Sequence, residues 1–400
     1  MSSKRMRPVL VAVACAAALL PAVATVPGAA SALSPSADLA SVTPAQSSVK
    51  VATTGRLTLR PAISQPGRRP AAASNDTQAL AAFPSARTGQ SIGLQRDTGD
   101  GTWQTISRAT LHSTRTAIFS LPEAGVAYRA VTLSGAGSPL GATNTVTGRT
   151  FKVLFKDDFS GTKVDFSKWS DQKTLAPAYM RKCSRLSPNA RTVSGGVLRM
   201  GVAYDRTRAG QTCRWQLNGN SGSHPYMWNT QLYTGGKFDF TYGYAAARMK
   251  MHRPKGMHAS FWLQPANWYT PGKPAAGTEI DVTEYFGASK NGSTIGSFVH
   301  WYGAKGEHFK RGGLFPRANT LKPASHTWWN AFHVFSVEWT PEAYIFRVDG
   351  REFHRETEIV SKAPEYLLLS MLTSDYNLEK LTREGIRQTA AVDWVRVWSR

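Results

Sequence analysis

The chain has 400 residues, with 48 lysines and arginines against 26 aspartates and glutamates, a formal net charge of +22, and three cysteines. No nucleic-acid reader motif accompanies the basic excess, and the cysteines lack the partners of a zinc site, so neither class is supported. The charge instead favours association with anionic polymers that salt would screen.

In chain order, Lys4, Arg5 and Arg7 precede an apolar run from Val9 to Val26, and Ala30-Ser31-Ala32 fits the small-residue cleavage rule. Residues 1–32 therefore read as a secretory signal, broken by Pro21 and removed, which predicts a secreted protein, free or wall-associated, with no membrane anchor after cleavage. Export leaves Cys183 and Cys213, an even pair expected to form one disulfide closing a loop of about thirty residues. Residues 33–48 are rich in Ser, Ala, Pro and Thr and read as a linker. From 49 to 148, short alternating runs such as Trp103-Gln104-Thr105-Ile106 and Ala117-Ile118-Phe119 are separated by turn signals such as Asp100-Gly101. They predict a small immunoglobulin-like or fibronectin-like β-sandwich, with Trp103 in its core and the stretch around Pro66, Arg68, Arg69 and Pro70 as an exposed loop. No catalytic constellation appears there, so the domain is a spacer or a glycan binder.

Residues 149–400 carry 35 basic against 21 acidic residues and eleven of the twelve tryptophans. Their alternating runs include Phe332 to Trp339, Tyr344 to Val348 and Val392 to Trp398, and Asp349-Gly350 is a strong hairpin turn. Periodicity alone gives a large sandwich or barrel. Within it, Gly277-Thr278-Glu279-Ile280-Asp281-Val282-Thr283-Glu284-Tyr285 places three acids on a predicted strand. Glu279 and Asp281 share a face, whereas Glu284 lies at an odd offset and joins them only if a β-bulge falls near Val282 and Thr283. Paired carboxyls suit glycoside hydrolysis, one as nucleophile and one as acid, then base. The spacing by itself is a weak signal.

The surrounding motifs add to it. The opening FKDDFSG, then FTYGYAAARMKM, HASFWLQP, FVHWYG, FHVFSVEWTPEAYIFRVDG and the closing VDWVRVW resemble glycoside hydrolase family 16, in the laminarinase-like branch whose motif is the bulged E-[ILV]-D-x-x-E. The resemblance implies an all-β protein, with a β-jelly-roll sandwich as catalytic domain and the acids on the concave face of a cleft. It assigns Glu279 as nucleophile, Glu284 as acid/base and Asp281 as a hydrogen-bond partner of the nucleophile. Trp262 is implied as the sugar platform, with Trp268 and Trp228 behind it, and His300 as a donor to a sugar hydroxyl or to Glu284. Arg248 stands in a family Glu-Ala-Arg motif whose acid is here Ala246, and it is carried over as a substrate contact. Catalysis needs no cofactor, but a structural calcium is implied on the convex side through Asp158 and Asp393. LLLSMLTSDYNLEK replaces the small residues and glycines usual in one cleft wall.

Three readings follow. The first is a monomeric endo-acting retaining hydrolase of β-1,3- or mixed-linkage glucan. The second is the same chemistry on a galactan of the agar or carrageenan type, favoured by the positive charge, with transglycosylation open to both. The third is a glycan-binding or wall-associated protein with an idle cleft, which loss of an acid would have marked.

Overall fold

The computed structural model describes residues 51–172, 181–217, 219–266, 277–288, 295–303 and 305–400. The expected signal segment and linker, and Trp268, lie outside the described residues. All its long elements are strands, and among the described residues no helix is long and apolar enough to cross a membrane.

Residues 53–147 form one eight-stranded sheet that folds around Leu57, Ile92, Leu94, Phe119 and Tyr128. The strand Thr53–Pro61 is the shared element, antiparallel to Thr77–Ala82 on one side and parallel to Pro139–Thr143 on the other. Trp103 is not in this core: it is half-buried beneath the Arg129 guanidinium, 4.3 Å from the ring centroid.

The remainder is a jelly-roll sandwich of two antiparallel sheets around one large apolar core. The concave sheet runs Ser170–Asp171, Met227–Tyr233, Glu365–Thr373, Met257–Pro265, Glu279–Tyr285, Ile295–Tyr302, His308–Phe315. The convex sheet runs Arg191–Ser194, Val197–Met200, Ala390–Trp398, Gly243–Lys250, His333–Trp339, Tyr344–Val348, Arg351–Glu356. Asp349 and Gly350 both take positive φ, 44° and 72°, and join the last two strands tightly, as the sequence predicts. Cys183 and Cys213 are disulfide-bonded.

The segment around Pro66–Pro70 is more than the exposed loop expected from its composition. Gly67 and Phe332 exchange two backbone hydrogen bonds of 3.0 and 2.7 Å, and Trp394 Nε1 donates to Gln65 Oε1 at 2.9 Å. The segment thus straps the first domain onto the convex sheet. Ile63 packs there with Tyr244, Ala246, Val334, Trp394 and Trp398 in a cluster separate from the main core. Ala246, at the acid position of the Glu-Ala-Arg motif that this stretch resembles, is fully buried in this contact, so a carboxylate there would be desolvated without a partner. Trp394 and Trp398 are buried between the domains, and Trp339 in the main core.

Candidate active site

On the strand Met257–Pro265, Met257, Ala259, Phe261 and Leu263 belong to the core. Strand alternation therefore turns His258, Ser260, Trp262 and Gln264 to the concave face. On the neighbouring strand, Ile280 and Val282 are core residues, but the next core residue is Tyr285. The parity change is a bulge: Asp281 pairs with Phe298 while Glu284 pairs with Gly296, two residues on one strand against one on the other. The register against Met257–Pro265 shifts at the same place, between Phe261 and Trp262. Glu279, Asp281 and Glu284 are thereby brought to one face. Gly287 ends the strand at φ 95°, and a Cβ there would lie 2.3 Å from the Pro254 carbonyl oxygen.

Each outer acid has its own chain of support. Tyr366 donates its hydroxyl to Gln264 Oε1 at 2.8 Å, which fixes the amide so that Nε2 donates to Glu279 Oε2 at 3.1 Å. Glu284 Oε1 lies 2.7 Å from His258 Nε2, and His258 Nδ1 lies 2.9 Å from Arg181 Nη2. Phe286 stacks on the His258 ring at 4.2 Å and fixes its plane. Asp281, between the two, meets His300 Nε2 at 3.2 Å, and His300 Nδ1 meets His308 Nε2 at 2.8 Å.

Burial, reinforced by Asp281, pushes Glu279 up to about 8. Burial and the Glu284 charge raise Asp281 well above the ordinary aspartate value. Burial also acts to raise Glu284, but the His258 imidazole, with His300 and Arg181, more than offsets it and holds that carboxyl below the glutamate range. In the open site the three carboxyls are thus driven apart, Glu279 and Asp281 towards the protonated form and Glu284 towards the charged one.

The other predicted residues divide. Trp262 lies on the cleft face opposite Asp281 and donates Nε1 to Ser370 Oγ at 3.2 Å. His300 is at the acids, but its carboxylate partner is Asp281, not Glu284. Trp228 is 8% exposed on the strand Met227–Tyr233. Arg248 is not a cleft residue. It sits in the convex sheet, 1% exposed, ion-paired with Asp393 and donating Nε to the Gln65 carbonyl at 2.8 Å. The Asp158 and Asp393 pair does not fit a calcium either, because Arg396 Nη2 holds Asp158 at 2.7 Å and Arg248 holds Asp393. Glu279, Asp281 and His300 offer donor atoms within 4.8 Å of one another, yet the bond between His300 and Asp281 already uses two of them.

Sequence reasoning missed Arg181, His258, Gln264, Ser370 and Tyr366. His258 and Gln264 were readable from the alternation of HASFWLQP. Arg181 was not, since it meets His258 across 77 residues of chain.

A family model described as "Beta-porphyranase A-D, GH16 domain" matches residues 153–400. Among curated proteins, the chain is 24% identical over 241 residues to Gram-negative bacteria-binding protein 3 of Drosophila melanogaster, covering 50% of this chain and 45% of that protein. It is 26% identical over 216 residues to glucan endo-1,3-beta-glucosidase A1 of Niallia circulans, covering 51% of this chain and 29% of that one. The chain thus matches less than half the length of each. Among solved structures, LamAcat of Zobellia galactanivorans is 22% identical with a TM-score of 0.49, covering 62% of this chain and 98% of that one. The endo-beta-1,3-glucanase of Pyrococcus furiosus is 23% identical with a TM-score of 0.48, covering 63% and 95%.

Proposed function

From the premise that the chain belongs to glycoside hydrolase family 16, we propose that it is a secreted retaining endo-β-glycosidase acting on a galactan that carries negative charge. The observation that carries the catalytic reading is the bulge, which sets Glu279, Asp281 and Glu284 on one cleft face. Support for the substrate is of two kinds. The matching family model is that of β-porphyranases, and porphyran is a sulfated galactan. The Lys310 ammonium, on the strand beside His300, lies 5.2 Å from the Phe298 ring centroid, and its charge partly opposes the rise of Asp281, so a cation borders the cleft. The related glucan endo-1,3-β-glucosidases favour a second reading, β-1,3-glucan.

In the first step Glu279 attacks the anomeric carbon, the glycosidic bond breaks, and its oxygen takes the proton of Glu284. A sugar seated in the cleft excludes water from Glu284 and presents it with an oxygen that accepts a hydrogen bond. Both changes favour its protonated form and with it the charged form of Glu279, which the Gln264 N–H steadies. In the second step Glu284 takes a proton from water, whose oxygen displaces Glu279 with net retention.

The test is reducing-sugar release from porphyran, agarose, carrageenan, laminarin and mixed-linkage glucan, with Glu279→Gln as control. Release from a sulfated galactan, lost in the control, supports the reading. Release from laminarin alone moves the substrate to β-glucan. Silence on every polymer overturns the enzyme reading in favour of binding.

A further inference from the structure

The strap that joins the two domains also closes one wall of a hollow of about 560 Å³ on the outer side of the convex sheet. That size falls within the roughly 300–1,000 Å³ of small-ligand sites. Its floor is the buried apolar cluster of Val197, Phe332 and Ala391, and Trp329 forms part of its side. The carboxylates lie on the other sheet, so this is not an extension of the catalytic cleft.

The lining is strongly one-signed. Arg68, Arg199, Lys250 and Arg387 converge on it against one acid, Glu384. Among the described residues none of these four cations forms an ion pair, whereas Arg185, Arg191, Arg248, Arg347 and Arg396 all do. Two of the guanidinium groups are held by neutral oxygens instead. Arg68 Nη2 donates to the Ser325 carbonyl at 2.8 Å, and Arg199 Nη1 donates to the Ser194 carbonyl and hydroxyl, both at 3.0 Å. Such bonds fix the groups without neutralising them and leave donors unused. The Lys250 ammonium sits 5.2 Å from the centroid of the Phe332 ring. Gathering four like charges around an apolar floor is unfavourable unless an anion completes it.

We propose that this hollow is a second, non-catalytic binding site for an anionic polysaccharide, with Trp329 taking the apolar face of a sugar ring and the four cations taking its sulfate esters. The choice of a sulfated polymer rests on the proposed function, but the site does not depend on the cleft acids. A chain held here keeps the enzyme on an insoluble or gelled substrate while the opposite face cuts.

The experiment is affinity electrophoresis of the full chain carrying Glu279→Gln, which removes the nucleophile, through gels containing porphyran or neutral agarose. Against that background, Arg199→Ala with Arg387→Ala, and separately Trp329→Ala, are each expected to weaken retention on porphyran by at least about fivefold, roughly 1 kcal/mol. Arg108→Ala with Lys156→Ala, two exposed cations elsewhere, changes the net charge equally and should leave retention nearly unchanged. In the otherwise wild-type enzyme the hollow variants should cleave a short soluble oligosaccharide at the normal rate. An equal loss in the Arg108 and Lys156 control would reduce the effect to overall charge and overturn the site, as would full retention by the hollow variants. The arginine pair carries the test if the Trp329 variant fails to fold. If porphyran is retained through the hollow but never cut by the wild type, the function reading fails and the site stands. If porphyran is cut but the hollow variants bind normally, the reverse holds.

Discussion

His258 Nε2 lies 2.7 Å from Glu284 Oε1, and the other nitrogen of the same ring faces the Arg181 guanidinium at 2.9 Å. Arginine can only donate, so Nδ1 presents its lone pair, Nε2 carries the proton, and that proton is given to Glu284. The pair holds Glu284 in its charged form more strongly than burial opposes it. Removing the imidazole should therefore raise the Glu284 pKa. Since Glu279 is pushed up to about 8 while Glu284 is held below the glutamate range, the ascending acid limb of kcat/KM follows Glu284, and it is expected to move to higher pH in His258→Ala, with kcat lowered by roughly 10–100-fold. A pH profile that keeps its wild-type limb would show that His258 only packs.

The two outer acids are separable by chemistry. Glu279→Gln and Glu284→Gln should each lower activity by at least about 1,000-fold with unchanged circular dichroism. With an activated substrate whose leaving group needs no proton, azide should restore Glu284→Ala and give a glycosyl azide of retained configuration. Azide with Glu279→Ala should give the inverted product, because it attacks in place of the missing carboxylate. Proton NMR of the anomeric centre reads the difference, and the opposite pattern would exchange the two roles.

How much of this was legible in the sequence follows from the range of each interaction. The odd offset of Glu284 from Asp281 implied a bulge, and the register shift falls at Val282 and Thr283, where local strand geometry put it. Asp349-Gly350 was readable for the same reason, since a two-residue turn declares itself in two residues. The strap was not: Pro66, Arg68, Arg69 and Pro70 have the composition of a loop, and only pairing with Phe332 makes them an interface. Arg248 and Asp393 each matched a motif, but nothing local to either shows that they pair with each other.

Glu279 should cost stability as the pH rises. Its folded pKa of about 8 stands above the ordinary glutamate value of 4.5 expected in the unfolded chain. Between those values the unfolded state has released the proton and the native state has kept it, so unfolding becomes easier as pH increases, by up to about 1.4 kcal/mol per pH unit. Below pH 4.5 both states are protonated and the penalty vanishes. Glu279→Gln removes the titration. It is expected to melt higher than wild type at pH 8 and to match it near pH 4, while being inactive. Equal melting temperatures at both pH values would remove the raised pKa from the argument.

The disulfide between Cys183 and Cys213, 30 residues apart, closes a loop beside the strand Met227–Tyr233. Cys183→Ser with Cys213→Ser is expected to lose about 2–4 kcal/mol of stability. Chemical denaturation of the purified variant measures it. A midpoint unchanged from wild type would show that packing of Cys183 and Cys213 in the core, not the covalent link, holds this segment.

Arg248 gives the sharpest separation of structure from catalysis. Its guanidinium is 1% exposed and meets Asp393, the Gln65 carbonyl at 2.8 Å and the Arg69 carbonyl at 3.1 Å, while Asp393 also accepts the Ala71 N–H at 3.0 Å. Arg248→Met would leave Asp393 as a buried charge with one donor and release two strap carbonyls, at a cost of about 3–5 kcal/mol. Pairing it with Asp393→Leu removes the uncompensated charge and should recover part of that loss. The single variant should also be cut faster by protease between residues 62 and 76, because the strap loses its anchor. KM should not change in either variant, since Arg248 lies in the convex sheet and the acids in the concave one. A raised KM at unchanged stability would return Arg248 to the cleft and would be incompatible with this register.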